Sequence, residues 1–96
     1  MVVADTVTAG SIYVTNDAGQ IVIALGVNDD GNGTVSTYQP NGIGLVGLSA
    51  TQSGGIIEVL NKVGETIANM YADEYGNGKV GAYNRKGMGR TLQPGP

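Results

Sequence analysis

The sequence predicts an all-β fold: an antiparallel up-and-down meander of tandem hairpins. Three observations carry this. Glycine landmarks recur at a steady period, apolar residues alternate within each repeat, and near versions of one turn motif close each hairpin: "VTNDAG", "TYQPNG", "VLNKVG" and "AYNRKG". Aligned on their last residues, Gly19, Gly42, Gly64 and Gly87, these segments follow one another in steps of 23, 22 and 23. A second set, "DDGNG", "TQSGG" and "DEYGNG", ends at Gly33, Gly55 and Gly78, with steps of 22 and 23. Two landmarks with one period define a repeat.

The units run Ser11–Gly33, Thr34–Gly55, Ile56–Gly78 and 79–92, with 93–96 as a tail, all within one domain spanning 1–96. The leading "VVADTVTAG" looks like the back half of an earlier unit, and the fourth unit decays into "GMGRTLQPGP". Each unit opens with a strand: "SIYVT", "TVSTY", "IIEVL" and "KVGAY". Ile12, Val35, Ile57 and Val80 coincide there, as do Val14, Thr37, Val59 and Ala82 two residues on. That is the period of a pleated strand. The opposite face, Tyr13, Ser36, Glu58 and Gly81, is mixed or polar.

The second strands are "QIVIALG", "IGLVGLS" and "ETIANMY". Val22, Leu45 and Ile67 coincide, as do Leu25, Leu48 and Met70. A spacing of three breaks strict alternation and predicts a bulge or twist between them. Between first and second strands, N-x-x-G suits a type I turn closed by a glycine bulge. The Asn side chain bonds its own backbone and Gly accepts φ > 0; Pro40 supplies the φ the turn wants. The other connections, "GVNDDGNGT" and "YADEYGNGK", are expected to form wider hairpin loops. The alternative architecture is a parallel β-helix, in which Asn16, Gln39, Asn61 and Asn84 would stack in register.

Composition narrows the function classes. The chain has 17 Gly, five Tyr, and no Phe, Trp, Cys or His. Disulfides, thiolate chemistry and histidine general bases are absent from its repertoire. No signal peptide or membrane-length apolar run is visible, so a soluble protein is expected. The core material is Val, Ile, Leu, Ala and Met. A chain of 96 residues built this way buries little on its own, and open sheet edges seek partners. A homo-oligomer is expected, with a trimer favoured because a three-fold β-prism suits a repetitive β chain.

The Gly-punctuated hairpins, with "YQPNG", "YNRKG" and the "GNG" loops, resemble the repetitive β shafts of phage tail fibres and trimeric adhesins over Ser11–Gly87. They are also similar to the tyrosine–glycine hairpin repeats of large bacterial surface proteins. Those carry an acid after the tyrosine, where this chain has Gln39 and Asn84. The resemblance to fibre shafts implies a trimeric structural assembly and brings no catalytic residues.

Candidate sites are few. Asn28, Asp30 and Asn32 echo the start of a calcium loop, but the twelfth position is Gln39 and no helix follows. Asp73 and Asn77 are their equivalents in the later loop. Solvated turns are the plainer reading, and no cofactor is expected. Tyr13, Tyr38, Tyr71, Tyr75 and Tyr83 are candidates for stacking on a carbohydrate or other ligand; the alternative is packing over glycines such as Gly47 and Gly81. The adjacent acids Asp29–Asp30 and Asp73–Glu74 diverge rather than face one cleft, so an enzyme is not expected. Residues 79–96 hold Lys79, Arg85, Lys86 and Arg90 without an acid. Head-to-tail association or an anionic partner would suit that end, but nucleic-acid binding lacks a basic face elsewhere. The leading expectation is a non-enzymatic structural or interaction module; the alternative is a carbohydrate- or ligand-binding β module with tyrosine-lined loops or grooves.

Overall fold

The computed structural model describes Met1 and residues 3–94. It forms one eight-stranded sheet with strands in sequence order. The strands are β1 (Ile12–Thr15), β2 (Ile21–Val27), β3 (Gly33–Tyr38), β4 (Gly44–Thr51), β5 (Gly54–Leu60), β6 (Thr66–Ala72), β7 (Gly78–Tyr83) and β8 (Gly89–Leu92). Every neighbouring pair is antiparallel, which excludes the parallel β-helix. The sheet is open, not a closed barrel, and no helix occurs among the described residues. The fourth unit does not decay: "GRTL" forms β8. Residues 3–11 form no strand, so the "VVADTVTAG" half-unit adds none, and Val2 lies outside the described residues. Of the 93–96 tail, Gln93 and Pro94 have no regular structure, and Gly95 and Pro96 lie outside the described residues.

One turn builds six of the seven hairpins. The residue at its first position is Asn16, Asn28, Gln39, Asn61, Asp73 or Asn84. Its backbone N–H donates to the carbonyl four residues on, at 2.7–3.0 Å, and its carbonyl accepts from the Gly N–H three residues on, at 2.9–3.2 Å. Those glycines, 19, 31, 42, 64, 76 and 87, have φ of 79–91°, which an L side chain resists. In five turns the side-chain Oδ1 of the first residue also accepts two backbone N–H groups, two and four residues on. Gln39 is too long for this, and Asn41 Oδ1 takes the N–H of Ile43 instead.

The acidic connections are therefore corrected: "NDDG" and "DEYG" are the same tight turn as "NKVG", not wider loops. The turns fall alternately at opposite ends of the strands, and each sequence repeat holds two strands and two turns. The exception is Thr51–Gly54, a two-residue connection over Gln52 and Ser53. Among the described residues no non-glycine has positive φ, Gln52 and Ser53 included, so this turn is not one of the primed types that match strand twist. Gly54, at φ 144°, takes up the mismatch.

The expected bulges are present. Val14 pairs with Ile23 but Thr15 with Ile21, leaving Val22 unopposed. In the same way Leu45 is passed over between β3 and β4, and Ile67 between β5 and β6. The β7–β8 pair runs without a shift.

The sheet has no second layer. Among the described residues no hydrophobic side chain is buried. The accessible surface is 7221 Å², against roughly 5,100 Å² for a globular monomer of this mass. The radius of gyration is 15.9 Å, against about 12.5 Å for a compact chain of this length. Part of the surplus lies in the exposed, strandless residues 3–10, and part in the two bare faces of the sheet.

Candidate interaction surface

Register sorts the side chains into two unlike faces. Ile12, Leu25, Val35, Leu48, Ile57, Met70, Val80 and Leu92 pair in one unbroken row across all eight strands. Two residues along, on the same face, run Val14, Ile23, Thr37, Val46, Val59, Ala68, Ala82 and Arg90. Val27, Ala50 and Ala72 extend the face at its other margin. Arg90 is its one charge. The middle of this face is as open as its β1 end, with Leu48, Ile57 and Ile12 each 40% exposed, and Leu92 at the β8 end is 73% exposed. A contiguous apolar surface of this extent is far from the scattered exposure normal on a monomer.

The opposite face is polar and small. Its central row is Tyr13, Ala24, Ser36, Gly47, Glu58, Asn69, Gly81 and Thr91. Thr34, Ser49, Ile56, Tyr71 and Lys79 lie to one side of that row; Tyr38, Leu60 and Tyr83 lie to the other. Four of the five candidate tyrosines thus share one face. Tyr75 stands apart in the β6–β7 turn and is 80% exposed.

Two of these tyrosines do cover glycines. The Tyr83 ring lies over Gly81, where its hydroxyl and Asn69 Oδ1 crowd the place a Cβ would take, and Tyr38 lies 3.9 Å from the corresponding point at Gly44. Gly47 has open space above it and no ring. Asn69 Oδ1 is buried without a hydrogen-bond partner. Tyr13 and Tyr38 flank an open groove of about 470 Å³ with Ala24 and Ile21 beneath and Pro40 and Asn41 at its end.

The turns form two rims. One carries Asp17, Lys62, Glu65, Arg85 and Lys86; the other carries Asp29, Asp30, Asp73 and Glu74 and no base. The calcium candidates lie on the acidic rim. Asn28 Oδ1 and Asp73 Oδ1 each hold two backbone N–H groups, so both atoms are engaged in closing turns. Asn32 and Asn77 donate the second of these bonds, and Asp30 the first in its turn. Among the described residues no three acidic groups gather closely enough to hold a metal. The two acidic turns stand four strands apart, roughly 19 Å, so their carboxylates face no common cleft. The basic residues are also dispersed: Lys79 lies on the polar face, Arg85 and Lys86 on a rim, and Arg90 on the apolar face.

Asn16, Gln39, Asn61 and Asn84 do line one rim, two strands apart. Only Gln39 reaches across, donating from Nε2 to the Lys62 carbonyl of the next turn at 2.9 Å. No family model matches the chain, and no curated protein matches it in sequence. No helix among the described residues is long and apolar enough to cross a membrane.

Proposed function

We propose that this chain is a non-enzymatic structural module that works as a homo-oligomer, its apolar face packed against the same face of sister chains. One observation carries the reading: the unbroken row from Ile12 to Leu92 has nothing over it. A lone sheet needs a packed face to be stable. The face spans about 34 Å by 18 Å at ordinary strand spacing, a flat footprint of roughly 600 Å² before side-chain relief is counted. A standard stable interface takes about 800 Å² per partner, so the area is of the right size.

Three copies arranged as a prism, apolar faces inward, would leave the tyrosine face and both charged rims in solvent. This is the arrangement that the likeness to fibre shafts suggests, and it suits a segment that presents a surface or extends a stalk. Light scattering on the purified chain tests it. The mass of three chains is expected; a folded, monodisperse monomer at micromolar concentration contradicts it.

A second reading is favoured by the groove between Tyr13 and Tyr38. Two aromatic rings with small Ala24 between them suit stacking on a sugar ring, which would make the polar face a carbohydrate-binding surface. Saturable binding on a glycan array, lost with Tyr13→Ala, is the expected result; a blank array removes this reading and leaves the structural one standing.

A further inference from the structure

The two outer strands are complementary to each other. We propose that β8 of one copy pairs antiparallel with β1 of the next, continuing the sheet from chain to chain with Leu92 opposite Ile12, Thr91 opposite Tyr13 and Arg90 opposite Val14 of that copy. The inference rests on the homo-oligomer reading above and adds its joint.

The repeat sets a rule for pairing. Each even strand pairs with the odd strand that follows, always through the same apolar position: Leu25 with Val35, Leu48 with Ile57, Met70 with Val80. Among the described residues β8, the fourth even strand, has no odd strand paired beyond it, and β1, the first odd strand, has no even strand paired before it. Leu92 and Ile12 occupy the orphaned halves of that pair, and every residue of both strands is exposed. Neither strand contains proline, and neither holds a bulged residue. Of the usual devices that blunt an edge, proline and bulges are missing, while shortness (four residues in each strand) and one inward charge, Arg90, are present.

Charge supports the same pairing. The turn beside β8 carries Arg85 and Lys86, and the turn beside β1 carries Asp17. In the joined sheet these turns become neighbours on one rim, two strands or roughly 10 Å apart. Neighbouring turns on that rim already touch within the chain, through the Gln39–Lys62 hydrogen bond. Arg90 sits at the end of the apolar face nearest this rim, so its long side chain can extend toward Asp17 of the next copy. Two β8 strands meeting edge to edge would bring no acid to Arg85, Lys86 and Arg90, and two β1 strands would leave the same charges unanswered. The joint uses different surfaces on its two sides, so it yields a ring if the rotation closes.

The chain has no cysteine, which makes disulfide trapping clean. Tyr13→Cys chains are mixed with Thr91→Cys chains, refolded together and oxidised. Within one chain the two positions lie at opposite edges, and each chain has only one thiol, so any bridge joins two copies. The expected result is a mixed dimer at least about tenfold over a Tyr13→Cys with Arg90→Cys control, whose thiols leave opposite faces and cannot approach within bridging distance. Ile12→Cys with Leu92→Cys, on the other face, is a second pair expected to trap equally. Homodimers in place of mixed dimers, or trapping no better than the control for both pairs, overturn the joint. Light scattering on the same samples separates the failures: an assembly without mixed bridges sinks the edge joint alone, whereas monomers sink the homo-oligomer as well.

Discussion

The two faces of this sheet share one backbone, one set of turns and one register, yet they ask for different surroundings. One is mostly Tyr, Ser, Thr, Asn, Glu and Gly, with Lys79 and a few apolar residues such as Ile56 and Leu60 among them. The other bears a double row of Val, Ile, Leu, Met and Ala, broken by Thr37 and by a single arginine at its margin. Transfer of such a surface out of water is the main source of stability a chain of this kind has. Within one copy that source is untapped, because the meander never folds back on itself. The comparison teaches that the hairpin turns specify the shape of the ribbon, while the apolar face is the surface that the proposed packing against sister chains would cover.

The largest expected effect comes from placing a charge on each face in turn. Leu48→Asp puts a carboxylate in the centre of the apolar rows, where burial without a partner costs about 3 kcal/mol or more. The assembly should dissociate and its cooperative thermal transition vanish. Ser36→Asp, on the polar face, should leave both the mass by light scattering and the melting temperature nearly unchanged. Equal effects from the two substitutions would erase the distinction between the faces.

A smaller effect separates turns from faces. Gly42 sits at φ 91° with open space around it, so Gly42→Ala suffers only from its backbone, by about 1–2 kcal/mol. Gly47 has equally open space and no positive φ. Gly47→Ala should stabilise by about 0.5 kcal/mol through lost unfolded-state freedom. Urea melts of the two variants should therefore move in opposite directions. Between them in size lies Asn61→Ala, which removes the acceptor for the Val63 and Glu65 N–H groups. Those groups can turn to water, so a loss of about 1 kcal/mol is expected in the same melts.

Much of this architecture is legible from residue spacing alone. The Asn-to-Gly corners, the paired strands and the bulges at Val22, Leu45 and Ile67 all follow from local chemistry, and local chemistry is what a sequence displays. The acidic turns read as wider loops because "GNG" offers two glycines. Gly33 and Gly78 keep the long period and begin strands, whereas Gly31 and Gly76 make the turns. β8 is obscured by "GMGRTLQ", where Gly89 and a single Leu leave little alternation to detect. The gathering of Tyr13, Tyr38, Tyr71 and Tyr83 on one face depends on where the bulges shift the register between strands, which pairing reveals and composition does not. The bareness of the apolar face is a property of topology: the same residues folded into two layers would have formed a core.

The most direct test is the accessibility of each face in the native assembly. A thiol introduced by Leu48→Cys and, separately, one introduced by Ser36→Cys are reacted with a soluble maleimide. The Ser36→Cys thiol, half-buried in the single chain, should label within about tenfold of its rate in denaturant, and the Leu48→Cys thiol should be slowed by about a hundredfold, as local opening of a buried site requires. Fast labelling at both positions in a folded protein would contradict the account, because the apolar face would then stand open to water.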